Sequence, residues 1–324
     1  MPGMKTIYSR DGTPLTDIRA AVTRSSLLND IGEAVFSIST SDVKCRRDVL
    51  EYGNFLYCQH DSLPDWVGII DTPRIWGNGF VEIHAFEVPY LLAYRLPILN
   101  SVLTGTPGAK FLSLLEYANT REDTLLRPDS VFLDGASGTE ILDSHIYYHL
   151  KRLSDIYKND WLCTPVISAA GKMTINMDWL QKAGITTDLE LSQGVNVLYG
   201  DAPLEESGEL INYVEGVSDT GDENGTNVLV TNFYQSSNYG LREKRVSFSG
   251  ITNMDTLLNN CTALVKEQIE PSYGTPLTVA NVGAAFANIR LGNIVRYKYT
   301  NVGFDGSGLG ASRLVRILGY RFDE

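Results

Sequence analysis

Residues 65–95, DWVGIIDTPRIWGNGFVEIHAFEVPYLLAYR, decide how the chain is read. They spell strand, turn, strand and a short helical turn. Trp66, Val67, Gly68, Ile69 and Ile70 form an apolar run rich in β-branched and aromatic residues, which suits a pleated, half-buried surface. Asp71, Thr72 and Pro73 are expected to break this strand. Trp76, Gly77, Asn78 and Gly79 make the reversal, because glycine and asparagine tolerate the positive φ it needs. Phe80, Val81, Ile83, Ala85 and Phe86 form the return strand, and Glu82 and His84 alternate with them as on a sheet with one wet face. Pro89 opens a helical turn through Tyr90, Leu91, Leu92 and Tyr94, closed by Arg95.

The segments before this hairpin look like its partner strands. Residues 4–9 and 18–23 are candidate strands around the turn Asp11-Gly12-Thr13-Pro14. Residues 32–39 place Ala34, Phe36 and Ile38 on one face. Residues 49–58 give another strand pair or extended run. Residues 1–98 are therefore expected to form one β domain, a barrel or sandwich.

Residues 99–185 read differently, as a mixed α/β insertion. Thr106 and Pro107 cap and open a helix to about Asn119, with Phe111, Leu112, Leu114, Leu115 and Ala118 apolar. Ser137-Gly138-Thr139-Glu140 has the spacing of a capping box and predicts a helix to about Lys158. Its stripe holds Leu142, Ile146, His149, Leu150, Leu153 and Tyr157. Residues 161–168 and 173–179 form a hairpin around Ala170-Gly171-Lys172. From 186 to 324 the pattern is β again, with candidate strands at 189–191, 195–199, 210–217, 228–233, 245–248, 277–279, 294–299 and 313–320. One amphipathic helix, 253–269, interrupts them and stops before Pro271.

With 324 residues, 43% of them hydrophobic, the chain has ample core for two or more domains at roughly 150 residues each. Its 29 glycines and many short β-rich runs favour a mainly β fold. No apolar run approaches the ~20 residues needed to cross a membrane, so no membrane partner is expected. The first residues carry no apolar signal core, so no secretory signal is expected. Cys45, Cys58, Cys163 and Cys261 lie far apart and read as free thiols. Lys plus Arg total 27 against 39 for Asp plus Glu, a net charge of −12, which argues against binding nucleic acid through its phosphates.

Several motifs suggest chemistry, and each has a plainer reading. His145 and His149 stand i, i+4 with Asp143 nearby, as a zinc pair would. The sequence HIYYH lacks the glutamate of H-E-x-x-H, and packed or interface histidines are expected. Asp219-Thr220-Gly221-Asp222-Glu223-Asn224-Gly225 resembles a calcium loop, but Gly221 and Val230 fall where ligands are required. An exposed acidic loop is expected instead. Gly306-Ser307-Gly308-Leu309-Gly310 is too near the C-terminal residue for a phosphate-binding βαβ unit and reads as a hairpin tip. Arg242-Glu243-Lys244-Arg245 reads as a solvated strand edge rather than an anion site. Trp76 and Tyr239 are candidate interface anchors or core residues. No G-x-S-x-G is present, and no carboxylate pair is singled out. No residue is assigned as catalytic, cofactor-binding or metal-ligating, and no cofactor is expected.

The order of these elements resembles the baseplate hub protein of long-tailed bacteriophages. The resemblance rests on Gly32-x-Ala34-x-Phe36, the W-x-G strand at Trp66 and Gly68, the aromatic return strand and Leu91-Leu92-x-x-Arg95. It continues in Gly194-Val195-Asn196-Val197, Tyr239-Gly240-Leu241-Arg242-Glu243 and the capped helix before Pro271. It implies an α+β, mainly β fold: two tail-tube-like β-barrels, 1–98 and 186–324, with 99–185 as the insertion. It also implies a non-enzymatic virion protein made in the host bacterial cytoplasm, a homotrimer whose six barrels cap a six-fold tube. Expected neighbours are the distal tail protein ring, the tape-measure protein and a central tail fibre, with DNA passing through a channel whose walls the net charge of −12 predicts to be acidic. Glu324 follows directly on a strand, so no C-terminal extension is expected. The rival readings are a distal tail ring component and a tail-associated cell-wall hydrolase.

Overall fold

The computed structural model describes residues 4–61, 63–99, 101–135, 137–200, 204–206, 210–218, 228–237, 240–248, 251–269, 272–274, 276–279, 289–299 and 311–323. The chain begins with β1 (Lys5–Tyr8), β2 (Pro14–Ile18), β3 (Val22–Leu27), β4 (Glu33–Ser39), β5 (Phe55–Cys58), β6 (Trp66–Gly77) and β7 (Phe80–Glu87). A 3-10 turn, Val88–Tyr94, leads to β8 (Ser101–Gly105), α1 (Pro107–Asn119), β9 (Leu126–Val131), β10 (Gly138–Leu142), α2 (Ile146–Tyr157), β11 (Asp160–Ile167) and β12 (Met173–Leu180). Next come β13 (Thr186–Ser192), β14 (Val197–Gly200), β15 (Leu204–Glu206), β16 (Tyr213–Ser218), β17 (Val230–Tyr234), β18 (Glu243–Phe248) and α3 (Met254–Gln268). The last strands are β19 (Ser272–Gly274), β20 (Leu277–Val279), β21 (Ile294–Tyr299), β22 (Ala311–Arg316) and β23 (Gly319–Asp323).

The hairpin of β6 and β7 sits in the middle of an antiparallel sheet of order β2-β1-β5-β6-β7-β4-β3-β23. Strand alternation sorts its side chains into two cores. Ile7, Ala34, Phe36, Ile38, Leu56, Trp66, Ile70, Val81, Ile83 and Ala85 pack together inside the curl of the sheet. Tyr8, Phe55, Tyr57, Val67 and Ile69 point the other way and join α1, α2 and β12 in a second core. The insertion therefore shares its core with the first sheet. In the W-x-G motif the glycine makes room for the ring: a Cβ on Gly68 would lie 2.3 Å from Trp66 Cη2 and 2.7 Å from the Phe86 carbonyl oxygen. The hairpin reverses through Asn78 and Gly79, at φ +50° and +78°.

Several local expectations need correction. Asp71, Thr72 and Pro73 do not end β6; they form a bulge, with the register shifting between Asp71 and Arg74. The β5 partner covers only Trp66 to Ile69, so the later half of β6 is an edge, where a proline without an N–H is tolerated. Residues 18–23 do not form one strand, because β2 ends at Ile18 and β3 begins at Val22. Of residues 49–58 only Phe55–Cys58 is strand, while Val49 and Leu50 are buried in the inner core from a turn.

The supposed capping box is a strand. Gly138–Leu142 pairs antiparallel with Ser101–Gly105, and α2 starts only after His145. β-Branched Thr139 and Ile141 fit that pairing, and the Glu140 carboxylate holds His149 rather than a helix N-terminus. The caps of the other two helices match their sequence. Thr106 Oγ1 accepts the Ala109 N–H at 3.3 Å, and Asn253 Oδ1 accepts those of Asp255 and Thr256 at 2.8 and 3.3 Å.

Beyond residue 186 the described residues hold two separate cores. One gathers Leu189, Leu191, Val295, Tyr297 and Tyr299 beneath β13, β21 and β22. The other packs α3, through Cys261 and Val265, on the sheet β17-β16-β18. The final strand does not stay in this block. β23 pairs antiparallel with β3, so the chain ends in the sheet in which it began.

Candidate functional site

His145 and His149 do not share a helix face. His145 is exposed and precedes the first turn of α2, whereas His149 is fully buried. The Ser144 N–H points at His149 Nε2 from 3.2 Å, so the proton sits on Nδ1, which donates to Glu140 Oε1 at 2.9 Å. His149 is thus a packed histidine tying α2 to β10. Among the described residues no three His, Cys, Asp or Glu side chains cluster as metal ligands. None of the four cysteines forms a disulfide, and burial pushes the Cys163 thiol well up from its ordinary range. Residues 219–225 and 306–310, Tyr239 and Pro271 lie outside the described residues.

Arg242-Glu243-Lys244-Arg245 leads into the edge strand β18, whose residues alternate between exposed and half-buried. Arg245 pairs with Glu215 on β16, as expected of a solvated strand edge. Trp76 is 66% exposed, and Ile75 and Phe80 beside it are also exposed. This makes the hairpin tip an apolar projection and removes Trp76 from the core. A second apolar surface was not foreseen. Leu96, Ile98 and Leu99 lead into β8, where Val102 stands opposite Ile141 of β10, and all five are exposed. The signal was the run LPIL after the 3-10 turn, where apolar residues recur without the period of any core-facing element.

Polar and charged side chains tie distant segments of the chain together. The β3–β4 loop reaches the insertion through two adjacent residues. Asn29, at φ +58°, accepts the Trp161 N–H at 2.7 Å and donates to Asp160 Oδ1 at 3.0 Å. Asp30 accepts Tyr147 Oη and Lys151 Nζ on α2, each at 2.6 Å. Asp160, 2% exposed, also accepts the Ala183 N–H at 2.7 Å and Arg316 Nη2 at 2.5 Å. Burial alone would raise its pKa, but the hydrogen bonds from Arg316, Ala183 and Asn29 outweigh it and hold the carboxyl below its ordinary value. Arg316 donates further to the carbonyls of Ala183 and Gly292. One buried carboxylate therefore joins the first sheet, the insertion and the C-terminal block.

This architecture is found in solved tail proteins. The chain aligns over 99% of its length with 94% of a 43 kDa tail protein of prophage MuSo2 from Shewanella oneidensis, at TM-score 0.65 and 9% identity. It aligns over 98% with 90% of prophage tail protein gp18 from Listeria monocytogenes EGD-e, at TM-score 0.62 and 12% identity. A tail protein from Neisseria meningitidis MC58 gives TM-score 0.59 and 13% identity, covering 100% of this chain and 92% of that one. By sequence, no protein-family profile and no curated protein matches the chain. The fold is mainly β and is that of phage tail proteins.

Proposed function

We propose that the chain is a structural, non-enzymatic virion protein of a bacteriophage tail. In this reading it is the homotrimeric baseplate hub that closes the distal end of the tail tube. The observation that carries the proposal is the fold match along the whole chain to three tail proteins, each covered over 90% or more of its own length. The curled first sheet and the β block after 186 serve as the two barrel-like units, and three chains then present six units to a six-fold tube. Two exposed apolar surfaces, one at Trp76 and one at Val102 and Ile141, support an assembled state, since a monomer gains nothing from leaving them in water. The neighbours in this reading are the distal tail protein ring, the tape-measure protein and a central tail fibre. An acidic channel would let DNA pass without retaining it.

Native mass spectrometry of the purified protein tests the reading. Three copies per particle are expected. Six copies would favour a distal ring component, and release of peptidoglycan fragments by the purified protein would favour a cell-wall hydrolase.

A further inference from the structure

The last strand rests on the first sheet through two side chains. β23 pairs with β3 alone among the described strands, and Gly319, Arg321 and Asp323 along it are exposed. Tyr320 and Phe322 alternate with them and are half-buried. They stand opposite Ser26 and Arg24 of β3, both buried. The Phe322 ring lies edge-on to His60, with centroids 5.0 Å apart, and 5.9 Å from the Arg24 guanidinium carbon. Tyr320 borders the core beneath β13, β21 and β22 and shares a hydrogen bond with Ser26. The Ser26 hydroxyl in turn donates to Glu87 Oε1 at 2.7 Å, and the other carboxyl oxygen accepts the Gly32 N–H at 2.8 Å. Both inward side chains of β23 therefore meet the β3 residues that surround one buried carboxyl.

Charge is expensive at that place. Burial pushes Glu87 up from 4.5 to about 7, against hydrogen bonds from Ser26, Gly32 and Trp66 and the charge of Arg24. Arg24 donates to the carbonyls of Cys58 and Pro64 and acts on Glu87 through its field. Cys163 of β11 and Tyr320 of β23 face the same carboxyl, and burial raises both. The hydrogen-bond chain serves either state, because a neutral carboxyl can donate to Ser26 and an anion can accept from it. Ionisation therefore adds mainly the cost of a charge kept from water. Admitting water by parting β4, β6 or β7 breaks ladders on both sides of the strand, and β11 is paired along its length with β12. Lifting β23 breaks one five-residue ladder at the sheet edge, where local opening is easiest. We infer that β23 is a latch over Glu87, which stays down on β3 while the carboxyl holds its proton and lifts when the proton leaves. Lifting bares the N–H and C=O groups of β3, an edge that another strand can pair.

Hydrogen exchange read by mass spectrometry tests the latch on the full chain from pH 5 to 8, with each rate divided by the intrinsic rate at that pH. Lifting returns Glu87 to its ordinary value, so opening should grow roughly 40-fold from pH 5 to pH 7 and level off above. The amides of residues 319–323 should lose protection across that window and hold nearly level beyond it. They should also exchange well ahead of the amides of β6 and β7, which sit in the middle of the sheet. Glu87→Gln should flatten the profile. Ser26→Ala keeps the test intact if that variant does not fold. It removes a donor that favours the anion, so the levelling-off should move to higher pH. A flat wild-type profile overturns the latch, and so does a profile that neither variant moves. Residues 319–323 exchanging in step with β6 and β7 would mean that the strand leaves only when the whole protein unfolds, which overturns it as well.

Discussion

Asp160 and Arg316 stand 156 positions apart in the chain, and they share a 2.5 Å hydrogen bond at the point where three parts of the fold meet. Nothing near either residue in sequence marks the pair, because each is an ordinary charge at one end of a strand. Its value lies in the partners that would be stranded without it. Asp160→Ala leaves Arg316, the Ala183 N–H and the Asn29 amide facing a site that water barely reaches. Removing one member of a buried pair costs about 3–5 kcal/mol, and the lower end applies because Arg316 is partly exposed. Urea denaturation of Asp160→Ala should show that loss. Adding Arg316→Ala should cost less than the two single changes summed, and strict additivity would show that the pair is not coupled.

Close by, Gly184 and Gly292 cross back to back, at φ +82° and +83°. A Cβ on Gly184 would lie 2.1 Å from the Gly292 carbonyl carbon, and one on Gly292 would lie 2.5 Å from the Ala183 oxygen. Gly184→Ala therefore meets both backbone strain and a backbone clash, together roughly 3 kcal/mol or more. Gly194 provides the control, with φ +78° and nothing within 4 Å of its Cβ position. Gly194→Ala should cost only the strain, about 1–2 kcal/mol. Equal losses in the two variants would rule out the crossing as the cause.

Much of the fold is legible in the sequence because one signal dominates where one face is buried. The β6–β7 hairpin, the β11–β12 hairpin, α1 and α3 all announce themselves by apolar period together with a turn or a cap. The misreadings share another cause. Ser137, Gly138, Thr139 and Glu140 satisfy a local helix rule, but strand pairing with β8 and the buried bond to His149 are tertiary and outweigh it. The return of β23 to β3 depends on a contact spanning nearly the whole chain, which no local pattern encodes. The burial of Lys110 is hidden for a related reason. In sequence Lys110 is an ordinary helix residue beside Phe111, and only the packing of α2 and β10 makes it a buried cation.

Trp76 separates stability from assembly. It is largely exposed on the edge half of β6, so Trp76→Ser removes little buried area. The change should move folding stability by no more than about 0.5 kcal/mol. Incorporation into tail particles, scored by immunoblot of purified virions, should fall sharply, because large exposed aromatics concentrate binding energy at interfaces. Normal incorporation of a well-folded Trp76→Ser protein would remove the hairpin tip from the assembly surfaces.

Glu87 sets a pH dependence whose sign can be worked out. It closes β7, where its carboxylate accepts Ser26 Oγ at 2.7 Å and the Gly32 N–H at 2.8 Å. Burial pushes its pKa up from 4.5 to about 7, and hydrogen bonding from Ser26, Gly32 and Trp66 and the charge of Arg24 only partly oppose it. Tyr320 on β23 and the Cys163 thiol on β11 face the same carboxylate, and burial raises both of their pKa values. A carboxyl whose folded pKa exceeds its unfolded value binds its proton more tightly in the native state. Its contribution is therefore favourable at pH 4.5 and is lost as pH rises to about 7, by roughly 1.4 kcal/mol for each pH unit crossed. Glu87→Gln removes the titration while keeping the contacts, with Oε1 accepting the Gly32 N–H and the amide donating to Ser26 Oγ. The stability of the variant minus that of the wild type should then rise between pH 4.5 and 7 and stay flat from pH 7 to 8. Urea midpoints measured at half-unit steps across that range decide the matter. Two curves that run parallel throughout would mean that folding leaves the Glu87 pKa at its ordinary value, and that burial beneath β3 and β7 does not hold a proton on it.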